Sequence, residues 1–190
     1  MKIILSSNSP RRRELLAGLG IDFEVKVIEG VDESYPDTLQ SKDVAEYIAR
    51  EKAAAYEVAD DELVITADTV VIVGDDILGK PHDAAEAHVM LRKISGRTHH
   101  VVTGVCMKTK REQHSFSVVT GVTFKELTDA EIDYYIEHYK PFDKAGAYGI
   151  QEWIGYIGVT GLDGSYYNVM GFPVQRVYAE LTNQFKIVQY

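Results

Sequence analysis

The first segment that could perform chemistry is a run of small polar residues followed by three arginines, from Ser6 to Arg13. Ser9 and Pro10 have the residue types of a helix N-cap and a first helical position. The arginines then fall in the first turn, where the partial positive charge of the helix end is unfavourable unless an anion binds. Backbone N–H groups, hydroxyls and guanidinium groups together suit a phosphate. The alternative is that the arginines point into solvent or pair with acidic neighbours such as Glu14.

A second candidate is the acidic residue Asp68, which stands alone in the apolar run from Ala67 to Val71. A buried carboxylate is costly unless it is paired or bound to a metal, so Asp68 could face a functional cleft. It could equally lie on the solvent side of an edge strand. Lys52 follows Ile48 by four residues and so lies near the apolar face of a predicted helix. There it either reaches into a cleft or extends to solvent along its aliphatic stem.

Two further segments have weaker signals. Asp32 and Glu33 lie in a polar loop and could bind a hard cation through oxygen, although solvated loop acids look the same. Residues 74–80 match the first seven positions of a P-loop, but Pro81 stands where a Ser or Thr hydroxyl is required. We therefore reject a P-loop. The turn around Lys80 could still present a cation to phosphate, or it could be solvated.

Composition excludes several classes of protein. Lys and Arg number 20 against 29 Asp and Glu, a net charge of −9, which argues against a nucleic-acid surface and against anionic membranes. The single cysteine, Cys106, excludes an intramolecular disulfide framework and a multi-cysteine zinc site. No apolar run approaches the roughly 18 residues that span a bilayer. We expect a cytoplasmic protein without a signal peptide.

Helical and strand-like segments alternate along the chain, which indicates an α/β fold with a mixed, twisted sheet and flanking helices. We expect one domain over residues 1–190. The segment from Ala145 to Gly171 is rich in Gly and Tyr and resists assignment. The predicted strands are 2–6, 23–28, 63–73, 99–108 and 115–125, and the predicted helices are 10–20, 41–59, 83–96, one from Thr128, and a last one through residues 174–181.

These segments together resemble the Maf family of nucleotide pyrophosphatases. The resemblance runs in order from residue 3 to about 182 and is therefore specific. It rests on the segments Ser7–Arg12 with Glu14–Leu16, Arg50–Ala53, Ala67–Val71, Gly79–Pro81, Ser95–His99, Asp143–Gln151 and Gly164–Tyr166.

The resemblance implies two lobes around a nucleotide-binding cleft and hydrolysis of dTTP and UTP to the monophosphate and pyrophosphate. Asp68 matches the family's catalytic proton acceptor. A divalent cation, Mg²⁺ or Mn²⁺, would be held by Asp68 and Glu33. The remaining matches are the specificity positions Arg11, Thr69 and Gln151, and the residues lining the nucleotide site, Ser7, Arg12, Lys52 and Lys80.

Two departures from the family pattern are visible. Gly79 stands where some relatives have Glu, and Glu152 follows Gln151 where small residues are common. The Gln151 amide can donate or accept, which suits a uracil-type edge, but an amide that rotates cannot exclude cytosine without a fixed second group.

Two other functions stay open at the level of sequence. One is an inosine or xanthosine triphosphate pyrophosphatase, and the other is a nucleotide-binding regulator of cell division. Metal-dependent release of pyrophosphate separates an enzyme from a regulator, and a panel of nucleotides separates the two enzymes. The expected partner is a nucleoside triphosphate, with no nucleic acid and no membrane, and the pattern is compatible with a homodimer.

Overall fold

Seven strands form one sheet in a computed structural model of the protein, which describes residues 1–187. The spatial order is β2-β1-β3-β5-β6-β7, and β4 pairs with β3. The strands are β1 (Lys2–Ser6), β2 (Phe23–Val25), β3 (Glu62–Val73), β4 (Asp76–Leu78), β5 (Thr98–Lys108), β6 (Gln113–Phe124) and β7 (Val159–Asp163). The helices are α1 (Pro10–Ala17), α2 (Ser41–Ala54), α3 (Ala84–Ile94), α4 (Asp129–Tyr139), α5 (Trp153–Gly158), α6 (Tyr166–Val169) and α7 (Val174–Asn183).

The sheet is mixed, as the sequence predicts. Strand β1 pairs in parallel with both β2 and β3, so that Leu5 lies opposite Val25 on one side and Ile65 on the other. Strand β4 runs antiparallel to β3, and β7 runs antiparallel to β6. Within residues 1–187 no helix has the length and apolar character needed to cross a membrane.

The chain divides into two compact units, each with its own apolar core. The first unit contains residues 1–68, 103–118 and the chain from Gly171 onward. Its core is formed by β1, the first part of β3, β5, α1 and α7, with the buried side chains Ile3, Leu5, Leu16, Leu63, Ile65, Val105, Met107, Phe172, Val177 and Leu181. This unit carries the first arginine segment and Asp68.

The second unit contains residues 69–102 and 119–170. Helices α3 and α4 pack together in it, and its core includes Leu91, Ile94, Val101, Val122, Phe124, Ile132, Tyr135 and Ile154. Thr69, Lys80 and Gln151 belong to this unit. The expectation of one domain over residues 1–190 stays a prediction.

The predicted starts of two helices are confirmed, and each has a side-chain cap. The Ser9 hydroxyl accepts the Arg12 N–H at 3.4 Å with Pro10 in the first position of α1, and Thr128 with Glu131 forms a complete capping box on α4. The predicted helix over 41–59 is too long, because α2 ends at Ala54. The unassigned stretch from residue 145 contains a 3₁₀ turn (Ala145–Ala147), followed by α5, β7 and α6.

Close backbone packing fixes the position of α2 in the first unit. A Cβ at Gly104 of β5 would lie 2.2 Å from the Glu46 nitrogen and 2.4 Å from the Ala45 oxygen. No side chain fits that space, so only glycine lets the strand and the helix approach this closely. The contact matters for function because α2 carries Lys52.

Candidate active site

The start of α1 holds its arginines by hydrogen bonds to backbone oxygens. The Arg12 guanidinium donates from Nε to the Gly171 oxygen at 2.7 Å and from Nη1 to the Ala67 oxygen at 3.0 Å. Arg13 donates from Nε to the oxygen of Ser7 at 3.3 Å. The anchoring of Arg12 at Ala67 places its charge beside the residue that precedes Asp68.

Ser7 is almost fully buried, with 5% of its surface exposed. Its hydroxyl accepts the Ser9 N–H at 3.1 Å, so the small polar run before α1 is folded onto itself. The hydroxyl of Ser7 therefore helps to set the entry into the helix. A role in nucleotide binding for Ser7 stays a prediction.

A cluster of ion-paired side chains lies beside the middle of β3. The Lys52 ammonium lies 2.9 Å from Asp68 Oδ1 and 3.0 Å from Glu33 Oε1. The Lys52 and Asp68 side chains are 17% and 15% exposed, whereas that of Glu33 is 57% exposed. Lys52 therefore reaches into a charged site and does not extend to solvent, and Asp68 is ion-paired and does not lie on a solvent-facing side of the strand.

The same cluster is electrostatically coupled to α1. Burial lowers the pKa of the Arg12 guanidinium, the charges of Asp68 and Glu33 oppose that effect, and the positive charge of Arg11 adds to it. Arginine remains charged in proteins in spite of such shifts. Arg12 and Lys52 thus both interact with the two carboxylates, and Arg11 lies close enough to Arg12 to affect its pKa.

Tyr56 supports the segments around this cluster, a role that was not predicted from the sequence. It follows α2, and its hydroxyl lies 2.7 Å from the Ser6 hydroxyl and 2.7 Å from the Lys26 oxygen, and it accepts the Ile28 N–H at 3.0 Å. It fastens the end of β1 to the segment that leads into the loop of Glu33. A tyrosine just after an Ala- and Glu-rich helix gives no local signal of this role, because its partners lie 28 to 50 residues away.

In the second unit, the turn with Lys80 is tied to the segment that begins at residue 145. The Gly146 N–H donates to the Gly79 oxygen at 3.0 Å. Gly146 has a φ of +70°, and a Cβ there would meet the Val71 side chain at 2.9 Å. Lys80 itself is exposed. The departure at Gly79 therefore leaves a turn whose backbone is anchored.

Gln151 lies in the same unit, in the turn before α5. Its Oε1 is buried and has no hydrogen-bond partner among residues 1–187. A buried acceptor without a partner is costly, so it marks a place where a ligand donor can bind. Thr69, which follows Asp68 on β3, is partly buried.

The carboxylates fit a divalent cation of the kind that binds together with phosphates. Asp68 and Glu33 already share one cation, the Lys52 ammonium, and both offer the oxygen ligands that hard cations prefer. No group of three or more His, Cys, Asp or Glu side chains that could hold a metal occurs within residues 1–187. One or two carboxylates together with substrate phosphates are a common ligand set for Mg²⁺.

Comparison with known proteins identifies the family. A family model described as "Maf-like protein" matches residues 2–184. The chain belongs to the Maf family. The resemblance seen in the motifs is thus confirmed over nearly the whole sequence.

Curated relatives within the Maf family are similar over almost their full length. A protein of Phocaeicola vulgatus named dTTP/UTP pyrophosphatase is 63% identical over 95% of this chain and 94% of its own. A protein of the same name from Parabacteroides distasonis is 59% identical over the same shares. Among solved structures, a HAM1 protein from Coxiella burnetii covers 96% of this chain and 98% of its own at 16% identity, with a TM-score of 0.48.

Of the predicted Maf-family residues, the structure brings together Glu33, Lys52 and Asp68. Arg12 interacts with Asp68 and Glu33, and Arg11 interacts with Arg12. Ser7 lies at the entry of α1 in the same unit. Thr69, Lys80 and Gln151 lie in the second unit. The individual roles of all nine residues stay predictions.

Proposed function

We propose that the protein hydrolyses dTTP and UTP to the nucleoside monophosphate and pyrophosphate. The observation that carries the proposal is the similarity to Maf-family relatives of that name, at 63% and 59% identity over 95% of the chain. The charged cluster around Asp68 supplies the groups that such a reaction needs.

Asp68 is the proton acceptor in this proposal. Water attacks the α-phosphorus, the bond from that atom to the oxygen bridging to the β-phosphate breaks, and pyrophosphate leaves with the bonding electron pair. The Asp68 carboxylate takes the proton of the attacking water. Asp68 lies 2.9 Å from the Lys52 ammonium, which fixes the position of its carboxylate.

The basic residues stabilise the charge that develops on the leaving pyrophosphate. Lys52 is held by two carboxylates, so its ammonium is already in place before substrate binds. Fixed cations of this kind favour the transition state, since they need no reorganisation when charge develops. Arg11, Arg12 and Lys80 are assigned the same role.

Asp68 and Glu33 are the residues that would hold a divalent cation, Mg²⁺ or Mn²⁺. When bound, the cation would neutralise phosphate charge as a Lewis acid. Glu33 is the more exposed of the two carboxylates and lies in a loop, which suits a ligand that engages together with substrate.

Gln151 is assigned to the base. Uracil and thymine carry an N–H at ring position 3 between two carbonyl groups, and an amide side chain can match one donor and one acceptor of that edge. The buried, unpaired Oε1 of Gln151 supports this assignment, because it lacks the donor that such a ring would supply.

The test is pyrophosphate release from dTTP, UTP, CTP, GTP and ITP, each with Mg²⁺, Mn²⁺ or a chelator. We expect dTTP and UTP to be preferred and the activity to require the metal. Asp68→Asn should fold normally and lose turnover by roughly 10²–10⁴-fold, the usual contribution of a general base. Asp22→Asn, an exposed acid in the same unit, is the matched control. Turnover of Asp68→Asn within a few-fold of wild type would remove Asp68 from the mechanism.

ITP as the best substrate would favour the inosine triphosphate alternative, and nucleotide binding without pyrophosphate release would favour a regulator. A cytoplasmic location and a homodimer stay predictions.

A further inference from the structure

A partly buried polar network surrounds Glu152, the residue that departs from the common family pattern. Its Oε1 lies 3.2 Å from the Lys144 ammonium, and its Oε2 accepts a hydrogen bond from the Tyr135 hydroxyl. The side chains of Lys144 and Glu152 are only 10% and 21% exposed. Lys144 also pairs with Asp143 at 2.9 Å. All four residues belong to the second unit.

The network holds the turn that leads to Gln151. The Tyr135 hydroxyl accepts the Gly149 N–H at 3.0 Å while it donates to Glu152. The Glu152 N–H in turn donates to the Gly149 oxygen at 3.0 Å. Burial, reinforced by the hydrogen bond to Glu152, raises the pKa of the Tyr135 hydroxyl, so Tyr135 stays a donor at neutral pH.

The network also approaches the Gln151 amide itself. A Cβ at Gly149 would lie 3.1 Å from Gln151 Nε2, 3.1 Å from Glu152 Cδ and 3.0 Å from Lys144 Cε. The amide nitrogen and the carboxyl carbon thus both lie 3.1 Å from the point that a Gly149 Cβ would occupy. On the other side of the amide, Gln151 Oε1 is buried and unpaired among the described residues.

Electrostatics favours one orientation of the Gln151 amide beside the carboxylate. With Nε2 toward Glu152, the positive end of the amide dipole lies beside a negative charge in a partly buried site, where electrostatic interactions are strong. The reverse orientation would bring Oε1 toward the carboxylate, and two negative ends repel. Glu152 is thus able to act as the fixed second group that a rotating amide requires for specificity.

We propose that Glu152 is a positioning residue that fixes the Gln151 amide with Oε1 available as an acceptor, so that the protein prefers pyrimidines with an N–H at ring position 3 over cytosine. Cytosine has an acceptor at that position, which would face the Gln151 oxygen unfavourably. The inference rests on the proposed function, because it assigns Gln151 to the base.

Two variants break the same ion pair from opposite ends. Glu152→Gln removes the negative charge that orients the amide, and we expect the ratio of kcat/KM for UTP to that for CTP to fall about tenfold, which corresponds to about 1.4 kcal/mol. The change should lie mainly in KM, since the chemical groups around Asp68 are untouched. Lys144→Gln keeps the Glu152 charge, so the ratio should stay within about twofold even if the melting temperature falls.

If Glu152 has only a structural role, both variants should shift the UTP to CTP ratio of kcat/KM to the same extent. That result would overturn the proposal. An unchanged ratio in Glu152→Gln would also overturn it. Glu137→Gln, an exposed acid on α4, is the matched control. In a Gln151→Ala background, Glu152→Gln should no longer change the ratio. If Glu152→Gln does not fold, the double variant Lys144→Met with Glu152→Gln removes both charges of the pair, so that no unpaired charge is left in the site. This double variant should give the same lowered ratio.

A second measurement separates this inference from the proposed function. The rise in melting temperature on adding UTP or CTP, in Ca²⁺ to slow turnover, reports base preference without catalysis. If the protein releases no pyrophosphate but still prefers UTP, and Glu152→Gln abolishes that preference, the proposed reaction is refuted and the positioning role is supported. Normal release with no change of preference in Glu152→Gln would refute the positioning role alone.

Discussion

Arg12 stabilises the ligand-free protein through hydrogen bonds to the backbone oxygens of Ala67 and Gly171. Arg12→Met keeps much of the aliphatic stem and removes the donors to the oxygens of Ala67 and Gly171, at 3.0 and 2.7 Å. A hydrogen bond from a charged group contributes about 1.5–3 kcal/mol. Because water can reach a partly buried site and replace part of the loss, we expect a net cost of about 3 kcal/mol. For a chain of this length, that corresponds to a fall in melting temperature of about 6–12 °C.

Arg11 is the matched control, since it precedes Arg12 in the same turn. Its positive charge lowers the pKa of Arg12, so the two guanidinium groups repel. A positive charge at a helix N-terminus costs a further ~0.3–1 kcal/mol at low salt. Because Arg11→Gln relieves this repulsion, its melting temperature should fall by less than that of Arg12→Met. Arg12→Lys should recover less than half of the loss, because an ammonium lacks the planar fork that reaches two carbonyls.

The assay is thermal melting followed by circular dichroism, without nucleotide, at low salt and at about 0.5 M NaCl. The Arg11 effect should shrink with salt, since it is a charge repulsion near the surface, whereas the Arg12 effect should persist. Arg12→Met melting within 2 °C of wild type would show that the two oxygens do not depend on the guanidinium. A larger loss for Arg11→Gln than for Arg12→Met would reverse the assignment of the two arginines.

Two further predictions concern packing and pH. Gly104→Ala should lower the melting temperature by more than Arg12→Met and weaken catalysis, because a Cβ 2.2 Å from the Glu46 nitrogen forces α2 and its Lys52 away from β5; a soluble variant of wild-type activity would contradict this. Burial lowers the pKa of His99 to about 4, so between pH 6.5 and 4 the unfolded chain binds a proton that the folded chain does not. Stability should therefore fall as pH falls through that window, by about 2–3 kcal/mol at pH 4.5, and His99→Gln should flatten this part of a urea-unfolding series. Parallel pH curves for the variant and wild type would remove His99 as the cause.

Elements whose signals are local were predictable from the sequence. The start of α1 follows from Ser9 and Pro10, and the start of α4 follows from Thr128 and Glu131, since a cap involves residues only three positions apart. Helix α2 was predicted five residues too long, because Ala- and Glu-rich composition continues the helical propensity beyond Ala54. Tyr56, whose hydroxyl is bound to β1 and to the segment before the Glu33 loop, is held by tertiary contacts that propensity does not register.

The candidate site was predictable in its residue types and not in its pairings. A lone Asp in an apolar strand and a Lys on an apolar helix face each had two interpretations, and only the distance of 2.9 Å between Lys52 and Asp68 chooses between them. The arginines were expected to be strained without an anion. Arg12 instead donates hydrogen bonds to carbonyl oxygens 55 and 159 residues away in sequence, and no local sequence pattern predicts contacts at such separations.

The position of the charged cluster depends on Gly104, a residue with no side chain. Gly104 lets β5 approach the backbone of α2 at Ala45 and Glu46, two turns before Lys52 on the same helix. Because a helix transmits a displacement of its first turns along its axis, a shift at Glu46 moves the Lys52 ammonium away from Asp68 and Glu33 together. Those two carboxylates would then face each other without a shared cation, in a site where Asp68 is only 15% exposed. The geometry of the Lys52–Asp68 ion pair is therefore set by backbone packing at Gly104 as much as by the charges that form it.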